Sequence, residues 1–374
     1  MLDFFVLAPL TAGISAFLIH RLRQPAMRLG LVDLPDTRKT HNGHVPLVGG
    51  VAMFIAFAIG ALLADASLTP YRPLFAGATL LLVSGILDDL RDLGAIEKLC
   101  FHLLGAGILV LWGGLSIDTL GVLPLVGEVR LGFMGAPFTL ICVVGFINAI
   151  NMIDGLDGLC GGVVLSILFW LALAGAIAGA PAAALILPVV LAASVLGFLL
   201  FNMPRKGTRE PGVFMGDSGS TMLGFVIAWL AIELVFQRGL DIPPVSVAWV
   251  LALPVFDTIS LMIRRALKGQ NPMTSDREHL HHVFERAGFS RPVTAYILIG
   301  CSFVLGAVGI GVWGAGIPES ALWPPLLLLL GLYFGFIIRA WRAMRLLRRL
   351  RLRVAPFAAE PDASAAATRS SRTP

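Results

Sequence analysis

The chain has 374 residues, 57% of them hydrophobic and 14% charged, with a formal net charge of +5 and a mean hydropathy of +0.86. A water-soluble domain is about 45–50% apolar and about 25% charged, so that class is excluded. The four cysteines lie far apart with no CxxC spacing, so neither a disulfide framework nor a thiolate zinc site is inferred.

The remaining class is an all-α polytopic membrane protein. A helix needs about 20 apolar residues to cross about 30 Å of hydrocarbon. Eleven segments qualify, roughly 2–20, 45–64, 73–87, 99–115, 134–150, 161–179, 182–201, 217–236, 245–263, 293–315 and 321–339. The first has neither a basic leader nor a small-residue cleavage site, and reads as a retained span. No period of 20–50 residues repeats, which excludes a solenoid.

Lys and Arg set the orientation. The connections 21–44, 88–98, 202–216 and 264–292, with the tail from 339, carry 25 of them; the opposite set has only Arg72, Arg130 and Arg238. The basic side is therefore read as cytoplasmic, with the N-terminus outside and the C-terminus cytoplasmic. The outer connection Ser116–Phe133, with β-branched residues and several Gly, is expected to form a small hairpin. Two regions follow: a membrane domain over 1–340 with cytoplasmic active-site loops, and a tail over 341–374. The stretch Arg339–Arg353 reads as a basic amphipathic helix for anionic membrane lipid or as a stop-transfer flank. The Ala-, Ser-, Thr- and Pro-rich remainder is expected to be disordered.

Five polar clusters fall on the basic side. The first, RKTHNGHVPLVGG over Arg38–Gly50, offers Lys39 and two His before Gly49–Gly50, and suits a phosphate or an interfacial anchor. The second is ILDDLRDL, where adjacent Asp88 and Asp89 end an apolar run. Neighbouring carboxylates repel, but a divalent cation makes them useful. The third is NAINMIDGLDG, with Asn148, Asn151, Asp154 and Asp157 at the mouth of a span, where acids usually line a protein or water-filled site. The fourth, FMGDSGSTMLGF, puts Asp217 just before an apolar run, as a metal ligand or a helix cap. The fifth, DREHLHH, groups Arg277, His279, His281 and His282; with no partner Cys and no HExxH frame, phosphate recognition fits better than zinc.

Acids that hold Mg²⁺ or Mn²⁺, and bases that hold phosphate, are the parts phosphoryl transfer needs. At a lipid–cytosol boundary they suggest a soluble phosphorylated donor and a lipid acceptor. An ion-coupled transporter is the alternative class. It would place ionisable groups near mid-span and show inverted repeats, whereas these acids sit at span ends.

The five motifs, in this order from about Arg38 to Gly288, resemble the polyprenyl-phosphate N-acetylhexosamine-1-phosphate transferases. The pattern Asp88-Asp89-x-x-Asp92 and the reading His279-Leu280-His281-His282 resemble the bacterial GlcNAc-1-phosphate branch. The MurNAc-pentapeptide branch typically has Lys in place of Asp92 and three consecutive His. The resemblance implies transfer of GlcNAc-1-phosphate from UDP-GlcNAc to undecaprenyl phosphate with release of UMP. It implies a multi-pass protein of the bacterial inner membrane that starts O-antigen or a related envelope glycan. UDP-FucNAc, UDP-QuiNAc and UDP-MurNAc-pentapeptide are the alternative donors; a homodimer is expected and a nucleic-acid partner is not. The resemblance also implies residue roles. Asp217 is a Mg²⁺ ligand with Asp154 beside it, and Asp88 and Asp89 adjoin the metal and the acceptor phosphate. Asn148, Asn151, Asp154 and Asp157 hold the nucleotide, while Lys39, Arg277, His279, His281 and His282 bind phosphates. Direct attack by the lipid phosphate is favoured, and a covalent aspartyl-phosphate route stays open.

Overall fold

The computed structural model describes residues 4–33, 44–64, 67–203, 212–237, 239–269, 279–339 and 344–349. In chain order the helices are α1 (Phe4–Leu29), α2 (Gly49–Leu63), α3 (Arg72–Arg91), α4 (Ala95–Gly107), α5 (Gly135–Ile153), α6 (Leu159–Ile177), α7 (Ala182–Asn202) and α8 (Gly216–Ile232). After them come α9 (Pro244–Val250), α10 (Ala252–Leu267), α11 (Leu280–Arg286), α12 (Arg291–Gly314) and α13 (Trp323–Ile338). An antiparallel hairpin, β1 (Thr119–Leu123) with β2 (Gly127–Arg130), occupies the connection where one was expected. Its strand β1 is tied to the far end of the chain, since Val122 N–H donates to the Glu319 carboxylate.

Among the described residues nine helices are long and apolar enough to cross a membrane, or up to ten if α9 and α10 make one bent span. Each of the eleven expected segments is helical, yet two depart from a plain span. Helix α2 has 15 residues, about 22 Å of rise, which is short of the hydrocarbon thickness. The segment expected over 245–263 is broken by 78° between α9 and α10. Pro254, just past the break, has no N–H to give to Val250, and its ring crowds that carbonyl.

Helix α8 is the hub. Every residue from Ser218 to Ile232 is buried, as expected of a helix apolar all round. It packs against α3, α5 and α2, and small residues let the backbones close. A Cβ on Gly85 of α3 would lie 2.3 Å from Ser218 Cα, and one on Gly50 of α2 would lie 2.4 Å from Gly219 N. Lipid gives no hydrophobic drive between helices, so this contact, with its dispersion energy, is what holds them. The chain segment before α8 is also bonded to the start of α2: Gly49 and Gly50 N–H donate to Phe214 and Met215 carbonyls, and Phe214 N–H donates to Pro46 O. These contacts bring the C-terminal end of α3 and the N-terminal ends of α2 and α8 together.

Gly85→Ala is expected to destabilise the protein by roughly 1–3 kcal/mol through overpacking against backbone. Gly13→Ala, where a Cβ meets nothing within 4 Å, should leave the melting temperature in detergent unchanged.

Candidate active site

The site begins with how α3 ends. Asp92 takes a left-handed conformation, φ 52°, which Asp tolerates better than most residues. The chain turns there, so Asp92 terminates the helix. Asp88 and Asp89 then point in two directions. Asp89, half-buried, reaches to α8: its Oδ1 accepts Asp217 N–H at 2.8 Å and its Oδ2 accepts Ser218 N–H at 3.3 Å. A carboxylate from one helix thus caps the N-terminus of another, where the dipole is positive. Gly216 makes room for it, with φ +74° and a Cβ position 2.5 Å from Asp89 Oδ2. The capping role that the sequence left open for Asp217 belongs to Asp89.

That leaves the Asp217 side chain free to face the site. Its Oδ1 accepts Asn151 Nδ2–H at 2.8 Å, and its Oδ2 accepts Lys98 Nζ–H at 3.2 Å. Lys98, in the first turns of α4, also pairs with Asp88. Asp88 in turn accepts Leu93 N–H at 2.8 Å. One ammonium therefore bridges carboxylates from α3 and α8. The Asn151 amide also donates to Ser220 Oγ at 2.9 Å, which fixes its orientation. Asn148, one turn earlier, donates to Val144 O and faces His102 Nδ1 at 3.3 Å, so its amide is engaged within the bundle.

Asp154 and Asp157 lie in the loop between α5 and α6. Asn202 of α7 holds this loop, accepting Gly158 N–H at 2.7 Å and donating to Val213 O at 3.0 Å. Burial pushes the Asp154 carboxyl up to about 8, helped by the nearby charges of Asp217, Asp157 and Asp89. Such crowding is a surplus of negative charge that a dication relieves. Among the described residues no three His, Cys, Asp or Glu side chains are arranged to hold a metal unaided. Mg²⁺ ordinarily takes one or two carboxylates and completes its shell with water and substrate phosphates. Asp217 and Asp154, both hard-oxygen donors, fit that requirement.

The histidine cluster reaches the same loop. A Cβ on Gly155 would fall 2.5 Å from His281 Nε2, so the imidazole lies directly on that glycine. Burial, then the neighbouring His282 and His279, lowers His281 to about 3, so it is neutral at physiological pH. His282 Nδ1 pairs with Glu285 at 3.1 Å, and Arg291 joins Glu285 at 3.6 Å while donating to Gly155 O at 3.4 Å. The hydrogen bond from His282 is the main reason the Glu285 carboxyl is held below its usual range.

Carboxylates of α3, α8 and the α5–α6 loop, with one bridging lysine, thus form one cluster beside the histidines. A family model described as glycosyl transferase family 4 matches residues 71–235, the stretch that carries every one of these acids. A Yersinia pestis protein named undecaprenyl-phosphate alpha-N-acetylglucosaminyl 1-phosphate transferase is 36% identical over 337 residues, 89% of this chain and 91% of its own length. Proteins of the same name are 32% identical: over 356 residues in Escherichia coli strain K12, 91% and 94% of the two chains, and over 363 residues in Salmonella typhimurium strain LT2, 93% and 96%. This chain belongs to glycosyl transferase family 4.

In this family-4 chain the structure gathers Asp88, Asp89, Asn151, Asp154, Asp157 and Asp217, with His281 against Gly155 of the loop and His279 and His282 beside it. Lys39 and Arg277 lie outside the described residues. Sequence reasoning passes over Lys98, Asn202 and Asp257. Lys98 enters it only as a topology charge, although a lysine at the mouth of a span six residues past Asp92 is a usable signal. Asp257 stands inside an apolar run, and an acid there is a functional-site candidate by default.

A raised carboxyl binds a proton in the folded chain that the unfolded chain releases near pH 4, so it lowers stability as pH rises from about 4 to about 8. In EDTA the melting temperature is expected to fall between pH 5.5 and 8, and Asp154→Asn should flatten that slope.

Proposed function

We propose that this protein transfers GlcNAc-1-phosphate from UDP-GlcNAc to undecaprenyl phosphate, releasing UMP. The observation that carries this reading is the Asp88–Lys98–Asp217 bridge, braced by Asn151 and Asp89. It sets a focused mixture of charge at the ends of four apolar helices, α3, α4, α5 and α8. The names of the relatives, which match over nearly the whole chain, supply the substrates.

The acceptor phosphate loses its second proton near pH 6 and is already a nucleophile at pH 7. One of its oxygens attacks the β-phosphorus of the UDP-sugar, and the bond from that phosphorus to the bridging oxygen breaks, with UMP leaving. Asp88, bound to Lys98 and to Leu93 N–H, orients the acceptor or takes its proton. Lys98 supplies positive charge where phosphate oxygens crowd. Asn151 keeps the Asp217 carboxylate aimed. Asp217 and Asp154 would hold Mg²⁺ or Mn²⁺, which would supply positive charge against the donor diphosphate. The neutral His281 borders the loop that receives the nucleotide and serves the phosphates as a hydrogen-bond partner, with His279 and His282 beside it.

The same reading puts the N-terminus outside, the C-terminus in the cytoplasm and the site at the cytoplasmic face of the bacterial inner membrane. Its support is the 25-to-3 division of Lys and Arg between the two sets of connections. The product then starts an O-antigen or a related envelope glycan.

Asp217→Asn is expected to abolish Mg²⁺-dependent UMP release from UDP-GlcNAc and undecaprenyl phosphate, with the melting temperature in detergent retained. Full activity in that variant would remove Asp217 from the metal. A panel of UDP-aminosugars in the same assay tests the donor: UDP-GlcNAc should give the highest kcat/KM.

A further inference from the structure

Asp257 lies on α10 within LALPVFDTISLM, only 4% exposed, and the proposed transfer reaction has no use for it. A buried carboxylate is costly unless donors fill its lone pairs. Three do so. His279 Nδ1 lies 3.0 Å from Oδ2, Leu280 N–H donates to Oδ1 at 3.2 Å, and the Tyr333 hydroxyl donates to Oδ1 at 2.8 Å. The first two belong to the start of α11 and the third to α13, so one carboxylate ties together three separate segments of the chain.

The chemistry of the contact is directional. An ionised carboxylate only accepts, so the proton of this contact sits on His279 Nδ1 and the other ring nitrogen, Nε2, is left for a different partner. Leu280 is the first residue of α11, whose N-terminal N–H groups have no partner within the helix. The same carboxylate therefore orients an imidazole and caps the helix behind it. That helix carries His281, pressed on Gly155 of the acidic loop, and His282. The rings continue as a stack, with His279 and His281 centroids 5.6 Å apart and 12° from parallel.

We propose that Asp257 is a positioning residue: it fixes the Nδ1–H tautomer of His279, caps α11, and so holds the histidine cluster against the acidic loop for the nucleotide diphosphate. Tyr333, from the last long helix, keeps the carboxylate turned to do this. The inference deepens the transferase reading and rests on it for the identity of the ligand. The clamp itself is a property of the fold.

Asp257→Asn is nearly the same shape but cannot accept at both atoms, so its amide would meet the His279 Nδ1–H. Removing a group that orients a site residue typically costs about 10–100-fold. A loss of that size is expected in kcat/KM for UDP-GlcNAc, with KM for undecaprenyl phosphate within about twofold of wild type. On a His279→Gln background the same substitution should cost at least about threefold less than in the wild-type chain, because the part exerted through the imidazole is gone and only the cap on Leu280 remains. Tyr333→Phe, which deletes one donor, is expected to lose roughly threefold and to lose nothing further on that background. A purely structural role would instead give losses that multiply. Hydrogen exchange provides a readout independent of activity: Asp257→Asn should speed exchange over 279–286 and leave the Lys98 peptide unchanged.

A folded Asp257→Asn protein with wild-type kcat/KM would overturn the proposal, as would losses that multiply across the His279 background. If Asp257→Asn does not fold, the Tyr333→Phe cycle decides the same question. Absence of UMP release by the wild-type protein with every UDP-aminosugar would sink the transferase reading, while exchange over 279–286 would still decide whether the clamp exists.

Discussion

The structure depends on one contact, the Asp89 carboxylate on the backbone N–H groups of Asp217 and Ser218. Two dipoles explain it. Acids at the C-terminal end of α3 face the negative end of their own helix, which is unfavourable. The positive end of α8 is brought beside them, and its unpaired N–H groups need acceptors. Joining the two resolves both deficits at once. Gly85 is required at this crossing because a Cβ there would meet the backbone of Asp217 and Ser218, and Gly216 because a Cβ there would meet the Asp89 carboxylate.

With α8 capped from outside, Asp217 keeps its side chain for chemistry. Electrostatics then sorts the acids by role. Asp89 is spent on backbone, Asp88 and Asp217 share Lys98, and Asp154 is buried and crowded enough to hold a proton in the absence of a cation. A single lysine cannot balance so many carboxylates in a half-buried site. The remaining charge is what a dication and its phosphates can balance, so the site is preorganised for a ligand that brings its own metal partners.

The histidine segment attaches to this core by contact rather than by shared charge. His281 lies on Gly155, and Arg291 and Glu285 lace the same edge. Because His281 is neutral, it can meet a phosphate as a hydrogen-bonding ring rather than as a cation. The buried Asp257 carboxylate makes the direction of the His279 ring definite.

Much of this was legible in the residues. Apolar run lengths placed helix in each of the eleven expected segments, though nine or ten of the described helices are long enough to span; the Ser116–Phe133 composition gave the hairpin, and motif spacing named the acids that meet. These features are local: hydrophobic period, turn residues and charge placement act within a few turns of chain. What only tertiary structure decided is which acid does what. Asp89 and Asp217 are 128 positions apart, and Lys98 and Asp217 are 119 apart, so no local pattern could say that one caps while the other faces the site. Pro254 marks in the sequence where the helix can break, but the 78° angle and the burial of Asp257 were beyond it. Both depend on where α10 comes to rest against its neighbours, and the partners that fill a buried carboxylate's lone pairs are set by packing between helices, not by the order of residues along one.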